Sequence, residues 1–186
     1  MRYILSILVI TFILSAVAFS QGTFGKEGVI EFGGTVGFMS STPVANGETG
    51  DATSTFTVVP SVGYFFMDGL EVGLNPLSFV STKPPVGDSY SNIGIWAFGA
   101  YHLMTMGTTY PYIEGLIGYT SESNGETLSG LSYGLGIGAK FEITGGLLLN
   151  AAAEYRFYTY NPSGADKRYG MNVLSIGVGL SGFLTK

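Results

Sequence analysis

Bulky apolar residues recur at every second position through most of this chain. From Leu131 to Ile143, Leu131, Tyr133, Leu135, Ile137, Ala139, Phe141 and Ile143 share one parity, while Ser132, Gly134, Gly136, Gly138, Lys140 and Glu142 share the other. Successive side chains of a strand point to opposite faces, so this segment has one greasy side and one small or polar side. The pattern returns near the end, with Leu174, Ile176, Val178 and Leu180 against Ser175, Gly177, Gly179 and Ser181. Residues 147–159 repeat it, setting Leu147, Leu149, Ala151, Ala153, Tyr155 and Phe157 against Asn150, Glu154, Arg156 and Tyr158. No sustained helical period competes with it.

The alternation predicts eight strands, at 28–39, 54–66, 70–81, 92–105, 109–121, 128–143, 146–159 and 170–184. Met67-Asp68-Gly69, Met106-Gly107-Thr108 and Thr144-Gly145-Gly146 read as tight turns. Ser40 to Thr53, Thr82 to Ser91, Glu122 to Thr127 and Tyr160 to Tyr169 read as longer connections rich in turn formers. Short and long connections alternate strictly, which is the asymmetry of an outer-membrane barrel with short periplasmic turns and longer outer loops. The faces point the same way. A soluble barrel buries its apolar face, and glycines cannot fill such a core; a spanning barrel turns the apolar face outward around a polar interior. The expected fold is all-β, an eight-stranded antiparallel up-and-down transmembrane β-barrel.

The first twenty residues, MRYILSILVITFILSAVAFS, fall outside this pattern and read as a signal peptide: one basic residue, an apolar run, then Ala16, Ala18 and Ser20. Cleavage after Ser20 or Ala18 leaves one barrel domain, 21–186, and the formal net charge of −5 becomes −6 without Arg2. That balance argues against nucleic acid as a partner, since phosphate binding needs a basic face. With no cysteine there is neither a disulfide framework nor a thiolate metal site. Twenty-nine glycines stand beside 13 Phe and 12 Tyr, a pairing that helices disfavour and closed sheets use.

The run Pro60-Ser61-Val62-Gly63-Tyr64-Phe65-Phe66-Met67-Asp68-Gly69-Leu70-Glu71-Val72-Gly73 resembles the strand, turn, strand signature of OmpA/OmpX-like small outer-membrane β-barrel domains. Tyr112 to Tyr119, Gly134 to Phe141 and Ile176 to Phe183 are similar to further strands of that family. The resemblance implies export to the outer membrane of a diderm bacterium, with outer-membrane lipid, lipopolysaccharide and the barrel-insertion machinery as partners. It departs in two places. Such barrels often end on an aromatic, whereas Phe183 is followed by Leu184-Thr185-Lys186, and no room remains for the peptidoglycan-binding domain of OmpA itself.

Strand parity places Glu31, Glu71, Glu114, Lys140, Glu142, Glu154 and Arg156 on the inward face. Buried charge is costly unless paired, so Lys140 and Arg156 are expected to meet carboxylates in a structural ion-pair network across the lumen. His102, the single histidine, falls at the end away from the long loops and reads as a rim or interface residue; without a partner set it argues against a metal site. Tyr64, Phe65, Phe66, Tyr101, Tyr110 and Tyr112 near the short turns, and Tyr119, Tyr158, Tyr160 and Tyr169 near the long ones, read as two interfacial girdles, with Trp96 in the barrel wall. The outer connections carry Glu48, Asp51, Asp88, Glu122, Glu126 and Asp166 against Lys83, Lys167 and Arg168, a solvated surface with room for a ligand or host protein. No cofactor is expected, and no nucleophile and base stand in a recognisable catalytic arrangement. The leading function is a structural or surface-interaction barrel; the alternatives are a small channel for ions or apolar solutes and a soluble periplasmic barrel holding a lipophilic ligand.

Overall fold

The computed structural model describes residues 23–41, 44–45, 48–49, 53–84, 89–103, 107–124, 126–160 and 169–185. The signal-peptide reading and the loop residues Asp51, Asp88, Asp166, Lys167 and Arg168 lie outside the described residues. Eight long strands close a barrel: β1 Ile30–Ser41, β2 Thr53–Met67, β3 Leu70–Lys83, β4 Tyr90–His102, β5 Thr109–Asn124, β6 Glu126–Thr144, β7 Leu147–Tyr160 and β8 Tyr169–Leu184. Each pairs antiparallel with its neighbours in sequence, and β8 closes the ring on β1. Within the first long connection, Val44–Ala45 and Glu48–Thr49 form a two-residue ladder.

The strands run from 12 to 19 residues, more than the 9–11 or so that cross a hydrocarbon core when tilted. The outward parity is apolar throughout, with Leu135 68% and Ile176 83% exposed among many others. The period-2 reading therefore placed all eight strands and both faces. At the β2–β3 hairpin the turn is only Asp68-Gly69, where Gly69 adopts φ 76°, a conformation that a side chain resists.

Several expected boundaries shift, among them the end of β4, which stops at His102 and not at 105. The connection expected at Glu122 to Thr127 is mostly strand, because Ser123 pairs with Thr127 and Asn124 with Glu126. No proline interrupts these polar residues, so nothing in them stops the ladder from continuing. At the other end, residues 28 and 29 do not join β1; they belong to a turning segment with Gly25 and Gly28 both at positive φ.

The wall is not uniform. Pairing between β2 and β3 is interrupted between Val58–Phe79 and Val62–Leu74, and that between β3 and β4 between Asn75 and Ser78. Pro60 and Pro76 sit in these gaps, where a residue without an N–H costs the ladder least. Among the described residues the β1–β8 seam pairs over Ile30–Val36 with Val178–Leu184, the half nearest the short turns.

Candidate functional site

Inward-facing side chains fill the lumen in layers, and glycines on the same face make the room. Trp96 lies over Gly118, its partner across the β4–β5 ladder, so that a Cβ added there would stand 2.6 Å from the indole. Tyr112 covers Gly138 at 2.6 Å in the same sense, and Glu114 covers Gly136 at 2.5 Å. The inward glycines are thus seats for the large side chains of the next strand.

The first layer stands near the short turns. Lys140 Nζ donates to Glu31 Oε2 at 2.5 Å and to Glu71 Oε2 at 3.4 Å. His102 Nε2 lies 2.8 Å from the same Glu71 oxygen; with a carboxylate as acceptor, that ring nitrogen carries the hydrogen. Each of these residues sits at the short-turn end of its strand, on the parity that faces inward, which is why positions far apart in sequence converge. All four are buried. His102 is therefore inside the barrel and is not a rim residue: it shares parity with Trp96 and Ala100, and its ring is walled by Phe24, Phe65 and Tyr112. Among the described residues its Nδ1 has no hydrogen-bond partner, and neither has Trp96 Nε1.

The second layer lies towards the long connections. Arg156 reaches Glu154, two residues earlier on the same face, through Nε at 2.7 Å and Nη2 at 2.5 Å. Its guanidinium stacks 4.7 Å from the Trp96 ring, a cation–π contact, and Tyr158 meets Trp96 edge-on. Above them the Tyr160 hydroxyl accepts from Asn92 Nδ2 at 2.9 Å and donates to Glu122 at 3.4 Å. Of the remaining inward carboxylates, Glu142 accepts from the Tyr110 hydroxyl at 3.3 Å. Glu114 forms no salt bridge among the described residues; it lies between the two cationic side chains.

The girdle assignment needs correction. Tyr64, Phe66, Tyr101 and Tyr119 do face outward, but Phe65, Tyr110, Tyr112, Tyr158 and Tyr160 are buried inside, and so is the Trp96 side chain. Parity decides this. Phe65 and Phe66 are consecutive and must point to opposite faces, and Tyr158 and Tyr160 share the face of Glu154 and Arg156. The aromatics answer the glycines: a narrow barrel with so many absent side chains is filled by large ones from adjacent strands.

No feature of the pattern announced the segment before β1. Phe24 is fully buried at the short-turn end, in edge contact with Phe65, Tyr110 and Phe183 at centroid distances of 5.0 to 5.4 Å, and 5.2 Å from Lys140 Nζ. Backbone bonds hold it to the barrel, from Gly28 N to Phe65 O, Phe65 N to Val29 O and Gly69 N to Gly25 O, each at 2.8 or 2.9 Å. Lys26 Nζ donates to Asp68 Oδ2 at 2.7 Å, and the Glu27 amide to Asp68 Oδ1 at 2.9 Å. The Lys26 hydrogen bond, then that of the Glu27 amide, lowers the Asp68 pKa from its ordinary 3.8. The folded form is thereby favoured above that ordinary value, and the preference is lost as pH falls through the lowered one. An NMR titration of the Asp68 carboxyl carbon should give a midpoint below 3.8 that moves upward in Lys26→Ala; an unchanged midpoint would mean that the surface pair is not formed in solution.

No family model matches the chain, and no curated protein matches it. Among solved structures it is similar to Neisserial surface protein A, with a TM-score of 0.57 and 14% identity over 83% of this chain and 95% of that one. It is also similar to the N-terminal β-barrel domain of Pseudomonas aeruginosa OprF, with a TM-score of 0.53 and 16% identity over 85% and 98%. Identity at this level speaks to architecture. The chain has the fold of the small eight-stranded outer-membrane β-barrels, the architecture that its OmpA/OmpX-like strands implied.

Proposed function

We propose that this protein is exported to the outer membrane of a diderm cell and acts there as an integral barrel with a structural or surface-interaction role, without catalysis. The carrying observation is the pair of faces. The outer wall is apolar on all sides, which suits lipid and would burden a protein in water. The lumen is crossed by two charge-paired layers and lined with aromatics, which suits a scaffold better than a conduit, as barrels of this size are normally filled by side chains. What differs from the surroundings is then carried by the long connections, whose partner would be a surface ligand or host protein. Outer-membrane lipid, lipopolysaccharide and the insertion machinery are the partners that residence there entails.

Cells expressing the whole chain should yield it in the outer-membrane fraction as a band that migrates differently with and without boiling. Purified into planar bilayers, it should give no unitary current steps. A soluble, unshifted periplasmic band would overturn the membrane reading in favour of a barrel holding a lipophilic ligand, and steady unitary steps would replace the scaffold with a channel.

A further inference from the structure

Residues 23–29 lie outside the β1–β8 ladder that closes the barrel and are tied instead to the end of β2, through Gly28, Val29 and Phe65, yet they bury a phenylalanine completely. We propose that this segment is a strap that docks as a separable step onto a barrel already closed, stoppering the short-turn end and keeping the Lys140, Glu31, Glu71 and His102 cluster out of water. The receiving pocket makes the order of events plain. The rings that hold Phe24 come from β2, β4, β5 and β8, namely Phe65, His102, Tyr110 and Phe183. Strands so far apart in sequence present these rings to one point only after β8 has met β1. The strap therefore reads out closure rather than nucleating it.

The attachment is built for docking. Three backbone bonds and the Asp68 carboxylate fix residues 25–29 along the β2–β3 turn, while Gly25 and Gly28, at φ 80° and 86°, fold the chain back so that Phe24 enters the lumen. The adjoining seam gains from it as well. Phe183 is the register partner of Glu31 across the β1–β8 junction, so Phe24 rests on the half of that junction where the two strands are paired. Lys140 lies directly over the Phe24 ring. Undocking would open a path from the short-turn end to its amine.

Chemical labelling tests this. The whole chain, folded in detergent, is treated with N-hydroxysuccinimidyl acetate, and acetylation of Lys140 is followed by peptide mass spectrometry, with the unboiled gel shift reporting closure. In the unaltered protein Lys140 should react slowly. Phe24→Ala should keep the gel shift and label Lys140 about tenfold faster or more, since burial of that ring is what holds the strap down. Asp68→Ala, which frees Lys26 and Glu27 but leaves the ring, should fall between. A Phe24→Ala protein that closes and labels at the original rate overturns the stopper. If Phe24→Ala does not close, Asp68→Ala decides: faster labelling of a closed barrel supports the strap, and an unchanged rate overturns it. If neither variant closes, the segment is part of closure itself and the separable step is wrong.

Discussion

Lys140→Met should destabilise the barrel by roughly 3–5 kcal/mol, the range found when one partner is removed from a buried ion pair. The methionine matches the stem in length but carries no charge, so the loss is electrostatic: the ion pairs go, and with them the ammonium's cation–π contacts on Phe24 and Tyr112. Glu31 and Glu71, both buried, would face each other with only His102 between one of them and an unscreened charge. Urea unfolding in detergent micelles or lipid vesicles measures the effect. Adding Glu31→Gln to Lys140→Met should recover a large part of it, because the change removes one of the two stranded carboxylates. A single-variant loss below about 1 kcal/mol would place the cluster in the class of solvated surface pairs and would mean that water reaches it from one end.

The second large effect separates the two faces through one residue type. Gly138→Leu should cost about 1–3 kcal/mol or more, as overpacking does: its Cβ would stand 2.6 Å from the Tyr112 ring and 2.7 Å from the Ala151 carbonyl oxygen, a backbone atom that cannot step aside. Gly115→Leu should cost nothing measurable and can stabilise the protein in lipid, because no atom lies within 4 Å of its added Cβ and the site opens on the apolar wall between Val72, Ile113 and Leu135. The same unfolding assay compares them. Equal losses at the two positions would contradict the division into inward seats and outward gaps.

That division was half legible in the sequence. Alternation carried the strands, their number and the direction of Glu31, Lys140 and Arg156, because a strand with one lipid face and one lumen face has no other way to be written. Rings proved harder. An aromatic near a strand end fits the headgroup level as well as it fits a lumen, and only parity, applied to Tyr112 against Ile113 and to Trp96 against Ile95, tells the two apart. His102 was misplaced for the same reason, and its parity with Trp96 and Ala100 was the available signal. The continuation of strand through Ser123, Asn124, Glu126 and Thr127 was also open to reading, since that run contains no proline. The strap was not: Thr23 to Val29 has no period at all, and what orders it is a pocket assembled from four distant strands.

The β2–β3 gap beside Pro60, and the β1–β8 seam with its described pairing confined to one half, flank the same two strands. Strands β1 and β2 are themselves paired without interruption along Ile30–Ser41 and Thr53–Tyr64. In mechanical terms they form a stiff panel hung between two weaker joints. The panel carries the longest connection, residues 42–52, at its free edge and is pinned at its lower edge by the segment that bears Phe24. A pull on that connection would be taken up as a tilt of the whole panel rather than spread around the ring, and the resistance to it would come from the pinned end.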